Sequence, residues 1–116
     1  MYIHNYTPHD INIYVNGECI DTLKSEGLAR CEQSETLYHC IEWAGRSIPV
    51  KKFNYGDITG LPENISTDDY FIVSSIVAQA AVKTNHPLKD RLYIVADTVR
   101  NEKNQIIGCQ SLALYE

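Results

Sequence analysis

The chain has 116 residues, and its 15 acidic side chains against 10 basic ones leave a net charge of −5. That length makes one domain, residues 1–116, with no room for a second module. The acidic balance excludes non-specific binding to DNA or RNA, which needs a basic face to neutralise many phosphates. With 44% apolar and 22% charged residues, the composition is that of a folded globular domain rather than a disordered chain.

In chain order, Ile11, Ile13 and Val15 alternate with Asn12 and Tyr14, and Asn16-Gly17 supplies the positive φ angles of a tight turn. Residues 11–23 therefore read as a β-hairpin. Residues 29–42 hold the β-favouring Thr36, Leu37, Tyr38 and Ile41, and residues 48–53 form another strand after the turn Ala44-Gly45-Arg46-Ser47. The segment Tyr55-Gly56-Asp57-Ile58-Thr59-Gly60-Leu61-Pro62 reads as an irregular, glycine-punctuated loop of the kind that faces a ligand. Residues 70–73 are a buried-strand run. Ser74 or Ser75 then caps a helix near residues 74–84, with Ile76, Val77, Ala80, Ala81 and Thr84 on one face and Asn85-His86-Pro87 at its end. Residues 92–96 are a strand, and residues 99–114 a last strand pair turning at Lys103-Asn104. The fold class is α+β: a mostly antiparallel β-sheet with one main helix, whose small alanine face suits close approach to a sheet or a second copy.

Cys19, Cys31, Cys40 and Cys109 contain no C-x-x-C pair, so reduced thiols in the cytoplasm are expected rather than a zinc ribbon or redox centre. The start Met1-Tyr2-Ile3-His4-Asn5 lacks the basic and apolar regions of a secretion signal. Residues 70–82, the longest nearly apolar run, are too short for a bilayer, and no membrane partner is expected. The glycosylation-like triplets Asn5-Tyr6-Thr7 and Asn64-Ile65-Ser66 are chance matches in that setting.

Few residues suggest catalysis. His4, His9, His39 and His86 form no H-x-x-x-H or H-E-x-x-H pattern, and no P-loop, G-x-G-x-x-G or G-x-S-x-G is present, so no metal or cofactor is expected. His9-Asp10 could act as a carboxylate-oriented base, but a turn opening the first hairpin is the simpler reading. The four arginines, Arg30, Arg46, Arg91 and Arg100, are the phosphate-holding candidates, since guanidinium binds phosphate bidentately. A surface ion pair is the usual role of any single one. Arg100 stands out because it lies between the apolar Tyr93-Ile94-Val95 and the polar Asn101-Glu102. Eight tyrosines, two phenylalanines and Trp43 serve mainly packing, with a few free to stack on a base.

Six blocks carry a resemblance. They are Thr7-Pro8-His9-Asp10-Ile11-Asn12-Ile13-Tyr14, Gly27-Leu28-Ala29-Arg30, Tyr55-Gly56-Asp57-Ile58-Thr59-Gly60-Leu61-Pro62, Tyr70-Phe71-Ile72-Val73-Ser74-Ser75-Ile76-Val77-Ala78-Gln79-Ala80, Val99-Arg100-Asn101-Glu102 and Ile106-Ile107-Gly108-Cys109. In this order they resemble a widespread family of small phage and prophage proteins, and within it the first-described kind of Thoeris anti-defence sponge. The resemblance implies a non-enzymatic oligomer, a homodimer or homohexamer, in the host cytoplasm. Such a sponge sequesters the cyclic ADP-ribose isomer made by a TIR-domain enzyme, and some members also bind cyclic oligonucleotides at a second site.

For the first pocket the resemblance implies Phe71 as the base-stacking group and Arg100 as the phosphate holder, with Asn101, Tyr55 and Gly56 alongside. For the second it implies Arg30 and Ser34. Just upstream of Arg30, where another arginine belongs to that pattern, this chain has Ser25, Glu26 and Gly27. The alternatives are a small nucleotide hydrolase or lyase using His9 and Asp10, and a structural phage protein with no nucleotide ligand.

Overall fold

A computed structural model describes residues 1–115. Strands β1 (Tyr2–Asn5), β2 (Ile11–Val15), β3 (Glu18–Leu23), β4 (Arg30–Trp43), β5 (Arg46–Thr59) and β6 (Asp69–Ile72) precede helix α1 (Ser75–Lys83). A single 3-10 turn at Lys89–Arg91 then leads into β7 (Leu92–Arg100) and β8 (Ile106–Leu114). The protein is mostly β with one short helix, as an α+β class requires. Six strands form a sheet in the order β1-β6-β7-β8-β2-β3, and β4 and β5 form a separate pair.

The main sheet is mixed: most of its paired residues are antiparallel, as expected, but it also holds three parallel pairings that the sequence did not announce. β1 with β6, β6 with β7 and β2 with β8 are parallel, while the two hairpin pairs β2–β3 and β7–β8 are antiparallel. Sequence signals mark hairpins, whose turns are local. The long crossovers that create parallel pairs leave no such mark.

The sheet curls until its two edges meet. Asn5 of β1 forms a parallel bridge with Ser25 just beyond β3, Glu26 N–H donates to the Asn5 carbonyl (2.8 Å), and Ala29 N–H donates to that of Tyr6 (3.0 Å). Inside this nearly closed barrel each of the six strands of the main sheet contributes to one apolar cluster. Ile11, Ile72 and Cys109 are buried, with Ile3, Ile13, Leu23, Val95 and Leu112 around them. Burial pushes the Cys109 thiol above its usual pKa, and all four cysteines are free. On the outside, α1 covers a second cluster that includes Phe71, Val73, Val77, Ala78, Ala81 and Leu92.

Helix α1 starts and stops where local chemistry dictates. The Ser74 side chain accepts from Val77 N–H. At the other end Asn85 takes φ 54°, while His86 N–H bonds the Ala81 carbonyl and Asn85 N–H that of Val82, closing a Schellman cap. Its buried face is Val77, Ala78, Ala80 and Ala81. Ile76, expected on that face, is 45% exposed, and Thr84 is exposed at the C-cap. Two-residue turns with both φ angles positive close β2–β3 at Asn16-Gly17 and β4–β5 at Ala44-Gly45.

The two 14-residue strands β4 and β5 project as an arm. The radius of gyration is 17.5 Å, against about 13 Å for a compact chain of this length. Tyr55-Gly56-Asp57-Ile58-Thr59, expected as a loop, continues β5, and the chain leaves the ladder only at Gly60 (φ 93°). Gly60 lies against the Leu28 carbonyl with no space for a Cβ. β7 is likewise one continuous strand, not a strand followed by a separate pair.

Candidate functional site

β6 ends at Ile72, while its neighbour β7 runs on to Arg100 with β8 beside it. A cleft of about 390 Å³ opens where β6 stops. The connection from β1 to β2 forms one wall through Thr7, Pro8, His9 and Asp10. Val73, Ser74 and Ser75 at the start of α1 form a second, and Ile94, Val95, Ile106, Ile107 and Gly108 form the third. The lining is mainly apolar with a few polar groups, the composition of small-molecule sites, and the volume falls within their range of about 300–1,000 Å³. The amino end of α1 adds a partial positive charge, which favours an anion.

Asn5 builds the first wall. Its side chain is 1% exposed and makes four hydrogen bonds. Nδ2 donates to the carbonyls of His9 (2.7 Å) and Leu23 (2.9 Å), and Oδ1 accepts from Thr7 N–H (3.0 Å) and Thr7 Oγ1 (2.7 Å). The triplet Asn5-Tyr6-Thr7 is thus a buried turn that ties β1, β3 and the cleft together. Sequence reasoning missed it, although an Asn followed two residues later by Thr and then Pro is a turn signal. On the second wall, Ser75 Oγ lies 2.8 Å from the Tyr115 hydroxyl, and Gln79 Nε2 donates to both.

His9 and Asp10 both reach the cleft, yet they are not joined. Asp10 accepts from Ser25 N–H (3.0 Å) and Lys24 Nζ (3.3 Å), and these bonds, the first foremost, hold its carboxyl below the usual range. The carboxylate that would orient His9 is committed elsewhere.

A second missed feature is His4. Its Nε2 lies 3.0 Å from Asp69 Oδ1 and its Nδ1 3.0 Å from Glu26 Oε2, with the ring stacked on Phe71 at 5.4 Å. The bond to Asp69 foremost raises the His4 pKa above the usual 6.5; burial opposes it, and the bond to Glu26 adds a smaller increase. Asp69 is lowered by His4 and by Ser66 N–H. A raised histidine pKa stabilises the fold fully below about 6.5 and loses that contribution as pH rises through the folded value. The Asp69 contribution has the opposite sense, present above its unfolded value and lost as pH falls through the depressed one. Urea unfolding from about pH 6 to about pH 8 is therefore expected to show falling stability in the wild type and a flatter profile in His4→Gln; equal slopes would mean that the cluster is not charged.

The sequence candidates separate into three places. Phe71 is 1% exposed in the outer core, with His4 stacked on its ring and Tyr6 edge-on at 5.5 Å. Within the chain its ring packs on His4, Tyr6 and the cluster under α1. Arg100 pairs in register with Ile106, a cleft-lining residue, and its Nη1 donates to the Asn104 carbonyl (2.9 Å). Asn101 holds the same turn, its Oδ1 accepting from Lys103 N–H (2.9 Å) and Gln105 N–H (3.0 Å). Arg100 and Asn101 thus stand together beside the cleft. Tyr55 and Gly56 lie on the arm, opposite Gln33 and against Glu32 respectively, and do not line the cleft.

Arg30 lines a separate cavity of about 400 Å³ at the base of the arm with Cys31, Glu32, Asp57 and Thr59, where two carboxylates outnumber one guanidinium. Ser34, paired with Asn54, is exposed further along β4 and outside that cavity. Among the described residues no group of His, Cys, Asp and Glu is placed to hold a metal ion, and no helix is long and apolar enough to cross a membrane.

No family model, curated protein or solved structure matches the chain.

Proposed function

We propose that this chain is a nucleotide-sequestering binding protein, an anti-defence sponge that holds a cyclic ADP-ribose isomer in the host cytoplasm without cleaving it. One observation carries the reading. Three sequence blocks far apart in the chain, around Thr7-Pro8-His9-Asp10, Val73-Ser74-Ser75 and Ile106-Ile107-Gly108, converge on one cleft, with a fourth, Val99-Arg100-Asn101, on the adjoining turn. These are four of the six blocks on which the resemblance to the sponge family rests. A diphosphate needs only one or two well-placed cationic or N–H groups, which an acidic protein can supply locally. Arg100 and the first amides of α1 are those groups here. The Asp10 carboxylate on the same wall is offset by Lys24.

Arg100 is expected to contribute through its charge. Calorimetry on Arg100→Ala with a cyclic ADP-ribose isomer should show affinity reduced by roughly 2 kcal/mol, about 30-fold. Unchanged affinity removes Arg100 from the site. Ligand released by heating the complex should be intact, whereas a hydrolysed product would replace the sponge with a hydrolase. Binding of a cyclic oligonucleotide at the base of the arm would depend on Arg30, with Ser34 beyond that cavity.

A further inference from the structure

Residues 24–27, between β3 and β4, form a strap across the first wall of the cleft. Ser25 Oγ donates to the Thr7 carbonyl (2.7 Å), Ser25 N–H to Asp10 Oδ1 (3.0 Å), and Lys24 Nζ to Asp10 Oδ2 (3.3 Å). All three bonds are exposed and so individually weak. The next residue of the strap, Glu26, is tied to the body through its side chain, whose two carboxylate oxygens lie 3.1 and 3.0 Å from His4 Nδ1.

His4 can serve both of its carboxylates only as imidazolium. Protonated, it donates from Nδ1 to Glu26 and from Nε2 to Asp69. Neutral, the ring keeps one N–H, and its other nitrogen turns a lone pair toward a carboxylate. Asp69 is the better-held partner: its side chain is 19% exposed against 45% for Glu26, and it also accepts from Ser66 N–H (2.9 Å). The remaining proton therefore stays on Nε2, and Glu26 loses its bond. Asp69 on β6 and Glu26 on the strap are the charged groups that act on His4 among the described residues, and its stacking partner Phe71 is uncharged.

We propose that His4 is a pH-operated latch on the cleft wall: as imidazolium it fastens the strap through Glu26, and on losing its proton it frees the strap and loosens the Thr7–Asp10 wall. The raised His4 pKa places the change above the ordinary 6.5. A loosened strap also uncovers the Asp10 carboxylate, whose partners Ser25 and Lys24 it carries. An anion in the cleft is then held less tightly. That last consequence rests on the reading of the cleft as a nucleotide site, whereas the latch itself does not.

Hydrogen exchange followed by NMR, corrected for intrinsic rates, tests the latch. Between about pH 6 and about pH 8.5, protection of the Thr7, Ser25 and Glu26 amides should fall at least about threefold, with the midpoint of the His4 ring titration. Glu26→Gln, at an exposed side chain, should abolish the fall, and so should His4→Gln. Protection that does not change with pH, that matches the β7–β8 ladder at every pH, or that falls equally in Glu26→Gln overturns the proposal. Calorimetry with a cyclic ADP-ribose isomer reads the consequence: affinity should drop about threefold or more over the same range in the wild type and stay level in Glu26→Gln. Affinity independent of pH overturns control of the cleft by the latch. Absence of binding at every pH counts against the sponge reading, and the exchange result then decides the latch alone.

Discussion

Phe71→Ala is expected to destabilise the fold by about 3–5 kcal/mol, the usual effect of emptying a core site of an aromatic ring. That is a large part of the 5–15 kcal/mol available to a domain of this size, and it should lower the melting temperature by on the order of 15 °C. The ring stands in a parallel strand between α1, Val73 and Leu92 and carries the His4 and Tyr6 rings. Its loss therefore also loosens the contact that holds His4 between two carboxylates. The conservative variant separates the core role from a stacking role. Phe71→Leu refills most of the volume, so nucleotide affinity measured by calorimetry should stay near that of the wild type. A loss of about 1–3 kcal/mol in binding with an intact fold would instead show a base resting on this ring.

Asn5→Ala has the next largest expected effect, about 3 kcal/mol in chemical denaturation. It removes four hydrogen bonds and leaves the His9 and Leu23 carbonyls and the Thr7 amide short of partners. Asn5→Asp should destabilise more, because a carboxylate oxygen would then face two carbonyl oxygens. Hydrogen exchange should locate the damage at Thr7 and at the meeting of β1 with the segment after β3. If protection is lost first at α1 instead, Asn5 is not the tie that closes the barrel.

What could be read from the sequence was what local chemistry encodes. Asn16-Gly17 and Ala44-Gly45 mark two hairpins because positive φ is confined to few residues. Ser74 and Asn85 bound the helix because capping is local. The meeting of β1 with β6 joins residues such as Ile3 and Tyr70, and nothing in a short window announces it. The same holds for Asn5 and His4, whose partners lie between 2 and 65 residues away. Glycine misled at Gly56, where a strand-end reading of Tyr55-Gly56-Asp57 gave a loop although the ladder continues past it. The exposed position of Arg100 was legible because an arginine at a strand-to-turn boundary stays near the surface. The burial of Phe71 was legible in the apolar run of residues 70–73, whereas its contacts with His4 and Tyr6 were not, because they join residues more than sixty positions apart.

The arm leaves the body after Ala29 and rejoins it at Gly60, where the chain touches the Leu28 carbonyl. Thirty residues thus depart and return through a gap narrower than one side chain. Such an excursion adds little to the entropy of closing the barrel, since that entropy grows only slowly with loop length. Beyond its base, where Cys31 and Ile58 pack against the α1 cluster, the arm is therefore separable from the barrel in energetic terms. Arms of other lengths and surfaces can be carried on the same body while the cleft stays fixed.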